Sequence, residues 1–260
     1  MIRTLLGALS GGGQAPSSAF MGRVPAGVRV YAVGDIHGRN DLLLEMIARV
    51  VDDCAGYHGT VKVVFIGDVI DRGPNSADVV ETLLHRLPTR WQTVFLRGNH
   101  ERAMLDFLRD PEGSPAWLAW GGRQALESYG IGLYDGRGAR APALLAADFA
   151  KELERRGHNR LFDEMQPYHV EGSYLFVHAG VRPKIALEKQ MEDDLLFIRE
   201  DFLAKPHGLP YVVVFGHTIL PEPLLLDDRI GLDTGAFESG ILTAIKLDND
   251  QRTVLQVVPG

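Results

Sequence analysis

The chain is 260 residues long, 45% hydrophobic and 23% charged, with a formal net charge of -7. That is apolar content enough for one sizeable core, and the acidic balance argues against a general binder of nucleic acid or of anionic membranes. One cysteine excludes an intramolecular disulfide framework and no apolar run approaches the roughly 20 residues that span a bilayer, so the expectation is a cytoplasmic protein with no nucleic-acid and no membrane partner, its oligomeric state open.

Residues 1–26 carry Gly11, Gly12 and Gly13, then Gln14, Ala15, Pro16, Ser17 and Ser18. Such a composition buries too little apolar area to order itself, so a flexible tail is expected ahead of one folded domain over 27–260. Val28, Val30 and Ala32 alternate and Val33 closes the run, which predicts a buried strand stopping at Gly34. Asp35 and His37 follow it directly. Leu42, Leu43, Met46, Ile47 and Val50 stand at helical spacing and predict a helix over 41–51 with Asn40 or Asp41 as N-cap; Cys54 just beyond reads as a small buried apolar residue. A second strand over 61–66 ends in Gly67-Asp68 and precedes a helix over 77–87. A third over 93–96 ends in Arg97-Gly98-Asn99-His100 and precedes a helix over 101–108. The same unit is thus repeated: apolar strand, glycine-containing loop with Asp, Asn or His, helix. Such units imply right-handed crossovers in a parallel sheet, whose ligands bind beyond the carboxyl ends of the strands, so the three loops converge.

Residues 111–167 change character. Trp117, Leu118, Trp120, Leu126 and Tyr129 fall in one helical segment and 143–156 in another, so a helical insertion is expected, with Trp117 and Trp120 in the core. The remainder is strand-rich, over 174–177, 212–215, 230–232, 241–247 and 253–257, and two of these strands run into His178-Ala179-Gly180 and Gly216-His217-Thr218. The predicted fold class is α/β: a central β-sandwich of two mixed sheets flanked by helices.

Asp35, His37, Asp68, Asn99, His178 and His217 all fall at or just past a predicted strand end. Any one of them alone reads as a turn or hydrogen-bonding residue; five loops with the same bias do not. Oxygen and nitrogen donors without thiolate suit manganese, iron or zinc, and six ligands exceed what one catalytic metal with open positions needs. Two divalent metal ions sharing a carboxylate are therefore expected, with Mn2+ first and Fe or Zn as alternatives. Arg72 and Arg97 lie inside the ligand loops, and two guanidinium groups there suit a tetrahedral phosphate dianion. His100 reads as a further ligand or as a general acid, with Asp71 as the group that orients it.

Gly34-Asp35-Ile36-His37-Gly38, Gly67-Asp68-Val69-Ile70-Asp71-Arg72-Gly73, Arg97-Gly98-Asn99-His100-Glu101, His178-Ala179-Gly180 and Gly216-His217-Thr218 resemble, in order and spacing, the blocks of the phosphoprotein phosphatase family of metallophosphoesterases. The resemblance covers about residues 28–258 and is greatest to the small bacterial and phage serine/threonine phosphatases. It implies that Asp35, His37 and Asp68 bind the first metal and that Asp68, Asn99, His178 and His217 bind the second. It further implies that Arg72 and Arg97 hold the phosphate, that His100 with Asp71 is the acid pair, and that Arg199 is an additional phosphate contact. The expected reaction is direct hydrolysis, with water activated between the metals attacking phosphorus in line. The resemblance implies a phosphomonoester hydrolase, a serine/threonine protein phosphatase first, acting on a phosphorylated protein or else on a small phosphate ester. A symmetrical dinucleoside tetraphosphatase is the nearest rival, disfavoured here because such enzymes typically lack counterparts of Asp71, Arg97 and Glu101. A non-catalytic binding module is the rival from another class, and no proposed ligand is missing to favour it.

Overall fold

The computed structural model describes residues 22–136 and 138–258. The first half runs β1 (Val28–Val33), α1 (Asn40–Asp53), β2 (Thr60–Phe65), α2 (Ser76–His85), β3 (Gln92–Phe95) and α3 (Asn99–Arg109). β1 pairs with β2 and β2 with β3, both in parallel, as the repeated strand–loop–helix unit requires. The insertion holds a π-helical turn (Leu118–Gly122) entering α4 (Arg123–Ser128), a small hairpin of β4 (Tyr134–Asp135) and β5 (Gly138–Ala139), α5 (Pro142–Arg156) and α6 (Asn159–Glu164). Proline at the first position of α5 and a left-handed Gly157 after its end fix both of its boundaries.

The second half contributes β6 (Tyr168–Glu171), β7 (Tyr174–Val177), α7 (Glu192–Phe197), α8 (Glu200–Ala204), β8 (Val212–Phe215), β9 (Leu224–Leu225) and β10 (Arg229–Gly231). A short helix α9 (Ala236–Ser239) then precedes β11 (Leu242–Asp248) and β12 (Gln251–Val257). Two five-stranded sheets result, ordered β12-β11-β1-β2-β3 and β6-β7-β8-β10-β9. Both mix parallel and antiparallel pairs, so the expected sandwich of two mixed sheets is what forms.

Side-chain alternation explains the layers. Val30 and Ala32 of β1 point between the sheets, where they join Val64, Phe176, Val214 and Ile245. Tyr31 and Val33 point the other way, onto Leu43 and Met46 of α1. On the outer face of the second sheet, Leu175 and Val213 pack against Leu195 of α7 and Phe202 of α8. Truncating a residue such as Leu43, which is fully buried, to alanine would cost about 2–5 kcal/mol.

Several local expectations are corrected. Residues 1–21 of the expected tail lie outside the described residues, but its last part is docked: Val24 is buried, its N–H donates to the Asn249 carbonyl, and the Gly22 carbonyl accepts from the Tyr174 hydroxyl. Arg39, not Asn40 or Asp41, precedes α1, because Asp41 is forked by the Arg39 guanidinium while Asn40 accepts from Thr82. Trp117 is buried as expected, whereas Trp120 is 45% exposed. Cys54 is buried, its sulfur 2.9 Å from Arg90 Nη2. No helix among the described residues is long and apolar enough to cross a membrane.

Candidate active site

The polar loops do converge. Five of the seven non-glycine residues with positive φ among the described residues are His37, Asp68, Asp71, Arg72 and His217. Holding such residues in the left-handed region costs on the order of 1–3 kcal/mol each, a strain tolerated where geometry is functional. Close backbone approach is also required: a side chain on Gly98 would meet Asp68 Oδ1 at 2.1 Å, and one on Gly216 would meet Asp35 Oδ1 at 2.0 Å.

Asp68 is the centre of the arrangement. His37 Nδ1 donates to the Ile70 carbonyl at 2.9 Å, which leaves the Nε2 lone pair facing Asp68 Oδ2 at 3.5 Å. On the other side His178 Nδ1 donates to the Ile66 carbonyl, leaving its Nε2 facing Asn99 Oδ1 at 2.9 Å and Asp68 Oδ1 at 3.5 Å. Nε2 of His217 is buried with no hydrogen-bond partner among the described residues. Lone pairs therefore meet lone pairs around one carboxylate. That pattern is costly for a protein alone and is resolved by cations. Two groups, His37-Asp68-His100 and Asp68-His178-His217, each bring their donor atoms within 4.8 Å of one another, and Asp68 belongs to both. The residues thus fit two metal ions.

The electrostatics agree. Burial pushes His37 down to about 3 and His217 to about 2 and also lowers His178, so all three imidazoles are neutral at ordinary pH, the form in which a ring nitrogen can offer a lone pair. Burial works against ionising Asp68 as well, but His178, His100, His37 and His217 around it hold its carboxyl far below the usual range. Asp35 is driven the other way, by burial and then by the nearby Asp233 and Asp68 carboxylates. Both Asp35 oxygens accept from the His217 N–H, and Asp35 stands outside the two tight donor groups. His100, by contrast, stands within the first.

A second cluster adjoins the first. His100 Nδ1 is 2.8 Å from Asp71 Oδ2, which also accepts from the Trp117 indole, and Asp71 is fully buried. Arg72 Nη2 lies 2.9 Å from His100 Nε2. Because a guanidinium only donates, Nε2 is the acceptor there and the imidazole is neutral. The Arg72 guanidinium rests 4.7 Å from the Phe237 ring centroid, and its backbone N–H points at the Gly121 carbonyl. Arg199 Nη1 donates to the His217 carbonyl, bringing it to the second donor group. Arg97 is placed differently: Nη1 pairs with Glu192 at 3.2 Å and Nη2 reaches the Met165 carbonyl, while its buried Nε has no partner.

Four contributions were not read from the sequence. Glu101 accepts the backbone N–H groups of Gly98 and Asp68 on one oxygen and those of Val69 and Ile70 on the other, clamping the loop that carries Asp68. Its position three residues into α3, reaching back to Gly98, is a capping pattern that could have signalled it. Asp233 is buried and follows a strand as the other acids do, which was a usable signal. The Trp117 hydrogen bond and the Phe237 contact join distant segments and left no mark in local sequence.

A family model described as calcineurin-like phosphoesterase matches residues 28–238. Bis(5'-nucleosyl)-tetraphosphatase PrpE [asymmetrical] of Anoxybacillus flavithermus is 25% identical over 234 residues, covering 82% of this chain and 88% of its own. Its namesake from Geobacillus thermodenitrificans is 26% identical over 240 residues, covering 84% and 90%. Among solved structures, one described as a "putative diadenosine tetraphosphatase" shares the fold with a TM-score of 0.60 at 21% identity, over 95% of this chain and 97% of that one. A cold-active protein-tyrosine phosphatase of a Shewanella species does so with 0.52 at 17% identity, over 94% and 87%.

Proposed function

The chain belongs to the calcineurin-like phosphoesterase family, and on that premise we propose that it hydrolyses dinucleoside tetraphosphates with two divalent metal ions held across Asp68. The observation that carries the chemistry is the Asp68 carboxylate with an imidazole lone pair 3.5 Å from each of its oxygens. The substrate class is supported by the name shared by curated relatives that match most of this chain. That name speaks of asymmetrical cleavage, where the rival weighed from the sequence was a symmetrical enzyme.

Asp35, His37 and Asp68, with His100 in range, would hold one ion; Asp68, Asn99, His178 and His217 would hold the other. When bound, such ions supply Lewis-acid neutralisation of phosphoryl oxygens and lower the pKa of water. The chain's own residues do the rest. Arg72 releases His100 Nε2 when its fork takes up phosphate oxygens, and Arg199 stands beside the second donor group to share that charge. Arg97 would exchange Glu192 for the phosphate. Freed of Arg72, His100 can hold a proton on Nε2 beside the departing oxygen, which matters where that oxygen leaves as an alkoxide. Asp68 and Asp71, against the desolvation of the site, favour its charged form.

A second reading, a serine/threonine protein phosphatase, is favoured by one observation. The buried Asp71-His100 pair suits an alkoxide, which needs a proton to leave, more than a nucleotide phosphate, which does not. Protein loaded separately with manganese, iron or zinc should be given diadenosine tetraphosphate beside a phosphoserine peptide, with products separated by ion exchange. ATP and AMP in equal amounts are expected; turnover of the peptide alone would overturn the first reading in favour of the second.

A further inference from the structure

A cavity of about 650 Å3 opens beside the metal-donor groups, on the far side of Arg72, lined among others by Trp120, Arg123, Gln124 and Phe237. Trp120 is left 45% exposed there by the backbone around it: Gly121, at φ 117°, breaks the helical turn and turns its carbonyl to the Arg72 N–H. The indole stands 6.4 Å from the His100 ring. Phe237, which also lines the cavity, touches both His37, at 5.4 Å between ring centroids, and the Arg72 guanidinium. Arg123 is exposed and makes no ion pair among the described residues.

The cavity therefore combines two aromatic rings, two guanidinium groups, that of Arg72 at His100 and that of the exposed Arg123, and one amide. Its volume is that of a small-molecule site. We infer that it takes one nucleoside end of the substrate, the base stacked on Trp120 and the polyphosphate held by Arg72 and Arg123. The inference rests on the dinucleoside tetraphosphate reading above. A phosphotyrosine side chain would use the ring faces but carries one phosphate, leaving Arg123 and Gln124 unmatched, so the nucleotide is the better occupant.

Calorimetric titration of metal-loaded protein with ATP and with inorganic tripolyphosphate separates the base from the phosphates. Trp120→Ala should weaken ATP about 10-fold more than tripolyphosphate, and Trp120→Phe should recover most of that difference. ATP should also quench the indole emission of the wild type and not of Trp120→Phe, because Trp91 and Trp117 are buried. Equal changes for the two ligands would overturn the inference, as would a 10-fold loss confined to a phosphotyrosine peptide. Because binding is read directly, absence of diadenosine tetraphosphate hydrolysis together with a base-dependent ATP effect would sink the proposed reaction and leave the nucleotide cavity standing.

Discussion

The Trp117 indole donates to Asp71 Oδ2 at 2.8 Å, and the same oxygen lies 2.8 Å from His100 Nδ1. A residue of the insertion thus holds the carboxylate that holds the histidine, which ties the insertion to the candidate site. Trp117 itself is fixed between Phe107 and Phe149, with ring centroids 4.9 and 5.7 Å away. Trp117→Phe keeps that packing and removes the donor, at a cost of about 1–3 kcal/mol. Thermal unfolding should register the loss, and any turnover of alkyl phosphates should fall more than that of nucleoside tetraphosphates while metal content stays constant.

His100→Asn tests the proton donor through its dependence on the leaving group. General acids contribute about 10²–10⁴-fold where the leaving group needs a proton. The variant should lose that much on alkyl phosphates and much less on nucleoside tetraphosphates, whose leaving group departs as a phosphate anion. Equal losses on both would assign His100 to metal binding, a role its place among the donor groups also permits.

Glu101→Gln tests the clamp. An amide in place of the carboxylate turns a donor toward backbone N–H groups of Gly98, Asp68, Val69 or Ile70. Stability should fall by about 1–3 kcal/mol in urea unfolding, and metal affinity by about 10–100-fold as Asp68 loses its support.

Acid sensitivity of the insertion should trace to His158. It is buried, with Nδ1 on the Tyr129 hydroxyl and Nε2 3.2 Å from Glu81, and burial lowers its pKa below the ordinary value. A depressed folded-state pKa stabilises the fold above the unfolded value, about 6.5, and that stability is lost as pH falls below it. Urea midpoints at pH 7.5 and 5.5 should therefore differ less in His158→Gln than in the wild type.

The three strand–loop–helix units and the two histidine loops were legible because each is local: apolar alternation ends, a glycine turns the chain, a ligand follows. The edge strand β6 was not, since Tyr168, His169 and Glu171 are half-buried and break the apolar pattern. Trp117 and Trp120 carry the same spacing cue yet part company, because only the structure shows Gly121 breaking the turn between buried and exposed rings. Arg97 reads like Arg72 in its loop, but Glu192, 95 residues away in sequence, engages it.

The sharing of Asp68 is tested most directly by metal content per chain, measured by plasma emission after loading and gel filtration. Wild type should hold two ions. Asp35→Asn should lose occupancy chiefly on the His37 side and keep the ion on the His178 side, whereas Asp68→Asn should lose both. Equal, selective loss of one ion in each variant would contradict a carboxylate common to the two donor groups.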